Sequence, residues 1–289
     1  MTDHAILFAR DPEVLRAQYF LRGAVPEHPE FFRRYEERSA LVYAQFPHHD
    51  GLTYGDGPRQ CVDLFPPRRP GAAPLLAFIH GGYWQSLDRA LFAFVARPFL
   101  EAGAAVALLG YDLAPAVRLA EMTRQIARAL AMLAERAPEH GIDGSRLFLA
   151  GHSAGGHLTA ATLAGLADGA PAVSPLIAAV CVISGVLELE PVRRSYLNEL
   201  LRLDAAEAAA FSPARHPPAG RAPVMILLGA GETAAFHAQS RAYARTLEAA
   251  HVPFLYRIEP GHHHFSIIES FADPTSPAAA WLLRRMGLP

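Results

Sequence analysis

Residues 151–155 read Gly-His-Ser-Ala-Gly, within the longer run RLFLAGHSAGGH at 146–157. G-x-S-x-G between an apolar strand and a helix-forming segment is a nucleophile elbow, with serine on a strand-to-helix turn that has room only for small neighbours. Gly151, Ala154, Gly155 and Gly156 supply that room. Ser153 is the expected nucleophile, and the first amides of the following helix, Ala154 foremost, can face a developing oxyanion. A second oxyanion contribution belongs on the loop after an earlier strand, where the chain runs His80-Gly81-Gly82-Tyr83-Trp84. Paired glycines let backbone N–H groups approach a ligand without a Cβ in the way. Gly81 and Gly82 are therefore expected donors, with Tyr83 and Trp84 as walls of the substrate pocket.

A serine of this kind needs a histidine, and the histidine needs a carboxylate to orient it, in the chain order serine, acid, histidine. The apolar run 224–228 ends in Gly229-Ala230-Gly231-Glu232, placing Glu232 just past a strand end. A carboxylate at the start of the next helix would also suit the helix dipole, so Glu232 has a structural alternative. Glu188 and Asp273 are rival acids, and Asp273 follows the histidines, which is the wrong order. The histidine belongs in Gly261-His262-His263-His264-Phe265, after the last strand. Three adjacent histidines cannot all face one point, and no further ligand at helical spacing completes a metal site. His152 and His157, flanking the elbow, are expected to pack or hydrogen-bond locally. Residues 229–234 also match G-x-G-x-x-G/A, with Glu259 after a later strand as a dinucleotide site would have. Only about 30 residues follow Glu259, too few for the rest of such a sheet.

Positioning these groups requires strands that end together. Apolar runs near 61–65, 75–79, 105–109, 146–150, 178–183, 224–228 and 253–258 read as strands, mostly covered on both faces as in a parallel sheet. Helical patterns lie between them at 88–102, 154–166, 234–250 and 277–286, and across an apolar stripe that begins at Leu119. The clearest stripe is Leu119, Met122, Ile126, Leu130 and Leu133. Such alternation predicts an α/β fold, with a mostly parallel central sheet and helices on both faces. Residues 1–50 read as an N-terminal helical extension packed on a core of 51–289. Residues 187–221 read as a lid-like insertion with a helical piece at 195–211.

Composition removes other chemistries. The chain has 289 residues, 51% of them hydrophobic, and a net charge of 26 − 28 = −2. Neither nucleic acid nor a membrane surface is an expected partner. All 26 cationic residues are arginines. Lysine Schiff bases, Walker-type phosphate loops and Ser–Lys dyads are thereby excluded. The uncharged stretch 170–187 is interrupted by prolines and is too short to span a bilayer. No secretory pattern opens the chain, and Cys61 and Cys181 read as buried thiols, so a cytoplasmic location is expected.

HGGYW at 80–84, YDLAP at 111–115, GHSAGGHL at 151–158, GAGETAAFHAQS at 229–240 and the pair His264-Phe265 together resemble one branch of the α/β-hydrolases. This is the kynurenine formamidase (arylformamidase)-like group, related to the hormone-sensitive-lipase-like esterases, and the likeness covers roughly residues 40–285. The resemblance implies an α/β-hydrolase fold and Ser153 as nucleophile. It implies His264 as base, because the family's histidine directly precedes a phenylalanine. Glu232 is implied as the acid, and Gly81, Gly82 and Ala154 as oxyanion donors. The expected substrate is a small ester or aryl-formamide, with no cofactor and no metal. A general carboxylesterase and a non-catalytic ligand-binding protein are the alternatives, and a homodimer stays open.

Overall fold

The computed structural model describes residues 2–68 and 71–289. Among these, eight strands form one sheet: β1 (His49–Thr53), β2 (Cys61–Phe65), β3 (Ala73–Ile79), β4 (Ala105–Leu109), β5 (Ile142–His152), β6 (Ile177–Ile183), β7 (Val224–Gly229) and β8 (Phe254–Glu259). Their spatial order is β1-β2-β4-β3-β5-β6-β7-β8. The pairs β1/β2 and β2/β4 are antiparallel, and all others are parallel. From β3 the chain moves outward to β4, then returns to β5 on the other side of β3. That reversal opens a crevice at the carboxyl ends of β3 and β5, where open α/β sheets bind ligands. The register Ile79↔Gly151 brings the His80–Gly82 loop level with the elbow.

The interior strands are apolar because helices cover both faces. All of β4 and β7 is buried, as is β3 beyond its first residue. The helix Leu119–Arg136 buries Leu119, Met122, Ile126, Leu130 and Leu133 as one stripe. The helix Ala154–Leu163 is buried all round, as expected of one packed into the middle of the domain. No helix among the described residues is long and apolar enough to cross a membrane.

Several elements differ from the sequence reading. β8 is an edge strand with alternating exposure, leaving Leu255 and Ile258 partly in solvent. Residues 88–102 are not one α-helix. A 3₁₀ stretch, Arg89–Ala96, precedes the short helix Arg97–Ala102, with Pro98 at the start of the latter. Residues 195–211 are two short helices, Asn198–Leu201 and Ala205–Ala210. They are separated by Arg202 in a left-handed conformation. The helices Asp3–Leu7, Pro12–Tyr19, Leu21–Ala24 and His28–Gln45 precede β1. The last of these is tied to the far end of the chain. Arg34 forms a two-pronged ion pair with Glu269 at 2.9 and 2.7 Å, and the Tyr35 hydroxyl donates to the Phe265 carbonyl.

Two buried histidines make stability depend on pH. His80 and His157 are fully buried, and burial pushes each down from 6.5 to about 4. Between those values the unfolded chain binds more protons than the folded one. The stability they confer is therefore complete above about pH 6.5 and is lost as the pH falls through 4. At 1.36 kcal/mol per pH unit, lowering the pH to about 5 removes about 2 kcal/mol per histidine. Urea unfolding at pH 7.5 and pH 5 should therefore differ by about 4 kcal/mol from this pair. His157 donates through Nε2 to the Phe211 carbonyl at 2.7 Å. His157→Gln keeps a donor there and should flatten the slope by about one proton. An unchanged slope in that variant would contradict the assignment.

Candidate active site

The elbow is built by close approach. Ser153 has φ 59° and ψ −117° at the junction of β5 and the helix Ala154–Leu163. A strained angle of this kind persists only where the surroundings fix it. Here the Ser153 amide donates to the Ile183 carbonyl at 2.9 Å, and its carbonyl accepts from His157 N at 3.0 Å. A Cβ on Gly155 would lie 2.0 Å from the Ile79 carbonyl oxygen, and one on Gly151 2.3 Å from that of Gly155. The sequence therefore needs glycine at both positions for the elbow helix to seat against β3.

The loop after β3 lies against the serine. A Cβ on Gly81 would sit 3.1 Å from Ser153 Cβ, and Gly82 has φ +118°, a conformation that favours glycine. Among the described residues, the amides of Gly81, Gly82 and Ala154 donate to no protein acceptor. All three are available to an oxygen of a ligand bound beside Ser153.

Glu232 and His264 meet. His264 Nδ1 donates to Glu232 Oε2 at 2.8 Å, and the Glu232 side chain is fully covered. The other carboxylate oxygen accepts from the Ser184 hydroxyl and from Gly229 N at 3.1 Å. A carboxylate buried in this way is stable only if its lone pairs find donors, and three are supplied. Sequence reasoning missed Ser184. Its signal was a single hydroxyl ending the apolar run of β6, and its φ of 48° turns it toward the acid loop.

The neighbouring histidines do different work. His152 Nε2 donates to the His264 carbonyl at 2.9 Å, with the two rings 4.7 Å apart. Burial, reinforced by the adjacent His264, holds His152 well below its ordinary range and so uncharged at neutral pH. His263 Nδ1 accepts from the amides of Phe265 and Ser266, and its ring packs edge-on against Phe31. His262 supplies its carbonyl to Gly231 N at 2.8 Å. Of the three consecutive histidines, His264 is the one whose side chain reaches Glu232.

The rival acids are committed elsewhere. Glu188 is buried against Arg215, with contacts of 2.8 and 2.7 Å. Exposed Asp273 caps Thr275 through its amide and hydroxyl. The glycine loop at 229–231 has no space for a pyrophosphate. The amides of Ala230 and Gly231 already donate to Glu259 and His262 carbonyls, and a Cβ on Gly229 would lie 2.5 Å from the His262 carbonyl oxygen. Among the described residues, no three His, Cys, Asp or Glu side chains are grouped to hold a metal ion.

Ser153 and His264 open on one cavity of about 340 Å³. Its walls come from four parts of the chain: Phe20, Leu21, Arg22, Phe32 and Tyr35 from the N-terminal helices, Gly81, Gly82, Tyr83, Gln85, Ser86 and Leu87 from the loop after β3, Tyr196, Leu197 and Leu200 from the segment between β6 and β7, and Phe265. Tyr83 lines it, its hydroxyl donating to the Tyr19 carbonyl at 2.9 Å. Trp84 does not. With φ 60° its side chain turns back into the core, fully buried and edge-on to His157 at 5.0 Å. The N-terminal wall is held to the acid loop, because Gln18 accepts from Ala235 N and from the Thr233 hydroxyl, both at 2.9 Å.

Comparison with known proteins agrees with this geometry. The family profile of the alpha/beta hydrolase fold matches residues 76–267, which span Gly81, Ser153, Glu232 and His264. Kynurenine formamidase of Salmo salar is 30% identical over 244 residues, covering 82% of this chain and 81% of that protein. The Danio rerio enzyme of the same name is 30% identical with equal coverage. Among solved structures, a candidate thioesterase from Silicibacter sp. tm1040 superposes with a TM-score of 0.79 at 32% identity, over 95% of this chain and 96% of that one. Esterase B of Lactobacillus rhamnosis, at 22% identity and a TM-score of 0.72, shares the fold over 92% of this chain and 95% of its own. The chain is a hydrolase that belongs to the α/β-hydrolase family and is a homologue of its kynurenine formamidase members.

Proposed function

We propose that this hydrolase cleaves an aryl-formamide, or a small carboxylic ester, through an acyl-enzyme on Ser153. The observation that carries the reading is a serine in a strained turn sharing one cavity with a His264–Glu232 pair joined at 2.8 Å. Ser153 Oγ attacks the substrate carbonyl carbon while His264 Nε2 takes the hydroxyl proton. The carbonyl oxygen becomes the tetrahedral oxyanion and accepts from the amides of Gly81, Gly82 and Ala154. Collapse breaks the bond to the leaving amine or alcohol, which receives the proton from His264. Water then repeats the sequence on the acyl-enzyme, with His264 again as base, and releases the acid and the free serine. Glu232 holds the imidazole tautomer and balances its charge without taking the proton.

The aromatic walls of the cavity suit a flat leaving group, and the likeness to kynurenine formamidases over 82% of the chain favours a formamide. A cytoplasmic setting accords with two unpaired cysteines. Comparing kcat/KM for N-formylkynurenine and for short p-nitrophenyl esters tests the substrate class. A formamidase favours the formamide by orders of magnitude. Turnover of esters alone would leave a carboxylesterase.

A further inference from the structure

We propose that Arg22 binds an anionic group, a carboxylate in the first instance, on the leaving-group side of the substrate. The assignment rests on acyl transfer at Ser153. Arg22 is exposed and lines the same cavity as Ser153 and His264, so it stands at the cavity mouth. Among the described lining residues it is the only arginine, and no aspartate or glutamate lines the cavity.

The other polar side chains of the wall are occupied. The Tyr83 and Tyr196 hydroxyls both donate to the Tyr19 carbonyl, and the Tyr35 hydroxyl donates to that of Phe265. Gln85 donates to the Leu197 carbonyl, and Ser86 to that of Gly82. Arg22, by contrast, makes no ion pair or side-chain hydrogen bond among the described residues. Its guanidinium sits 5.7 Å from the centre of the Phe32 ring. A planar fork of donors above an aromatic face, with no carboxylate of the protein to satisfy it, is suited to a carboxylate of the ligand.

Chemistry fixes which half of the substrate carries that charge. A formyl group has only hydrogen on its carbonyl carbon, so an anion reaching the cavity mouth must belong to the aryl amine. Arg22 is thereby assigned to the amine half of the substrate, away from the acyl group that Ser153 attacks.

The test compares substrates that differ only in this charge: N-formylkynurenine against its α-carboxamide, and 4-acetoxybenzoate against its methyl ester. For the wild type, kcat/KM is expected to favour the acid at least about tenfold, through KM rather than kcat. In Arg22→Gln that ratio falls to near one, and Arg22→Lys retains part of it. Each ratio is internal to one protein, so a fraction of inactive enzyme does not disturb it. Equal ratios in the wild type and Arg22→Gln would overturn the proposal. If neither formamide is cleaved while the acetoxybenzoate pair still shows the Arg22-dependent ratio, the formamide reading fails and the anion site stands. No turnover of any of the four would remove both.

Discussion

Ser153→Ala is expected to lower kcat by about a thousandfold to a millionfold on any substrate the enzyme turns over. The removed atom is the attacking nucleophile, and no other hydroxyl shares the Ser153 position. Substitution should leave the fold intact. The elbow is fixed by backbone contacts, Ser153 N to Ile183 O and His157 N to Ser153 O, which alanine keeps. Gly81, Gly82 and Ala154 remain to polarise a bound carbonyl, so KM should change far less than kcat. Steady-state kinetics with a thermal melt of the same sample checks both parts. A variant within tenfold of wild type would mean that another group attacks.

His264→Ala should be nearly as damaging, with kcat reduced by about a thousandfold or more, whereas His263→Ala should stay within about tenfold. The two residues are adjacent, but their side chains have different partners. His264 reaches Glu232 and faces the cavity, whereas His263 braces the amides of Phe265 and Ser266. Removing the base strips Ser153 of its proton acceptor. Removing the brace loosens the loop that carries the base. Neighbouring His152 is a poor replacement, because burial holds its imidazole well below the ordinary range and its Nε2 is committed to the His264 carbonyl. Loss of turnover in His263→Ala with activity kept in His264→Ala would reverse the assignment.

The chemistry was more legible in the sequence than the pocket. Gly151, Gly155 and Gly81 announce the elbow and its partner loop because each sits where a Cβ would strike backbone or Ser153. Steric demands of that kind leave a local signature. Strands β3 to β7 were legible for a related reason, since burial on both faces leaves no polar alternation to confuse the pattern. Glu232 was readable as a loop carboxylate, but its choice over Glu188 depends on Arg215, which lies 27 residues away from Glu188 and claims it. The cavity walls left no such trace. Phe20, Arg22, Phe32 and Tyr35 line the cavity beside Ser153 because the N-terminal helices dock on the acid loop and on Phe265. Trp84 shows the opposite failure. An aromatic beside two glycines looks like a pocket wall, yet its positive φ sends the side chain into the core.

Reaction with a fluorophosphonate, followed by peptide mass spectrometry, tests the central claim most directly. The reagent forms a covalent bond only with a serine activated as a nucleophile beside oxyanion donors. A single adduct is expected on the peptide containing Ser153, absent from Ser153→Ala and strongly slowed in His264→Ala. An unlabelled protein, or an adduct on a different serine, would contradict the account.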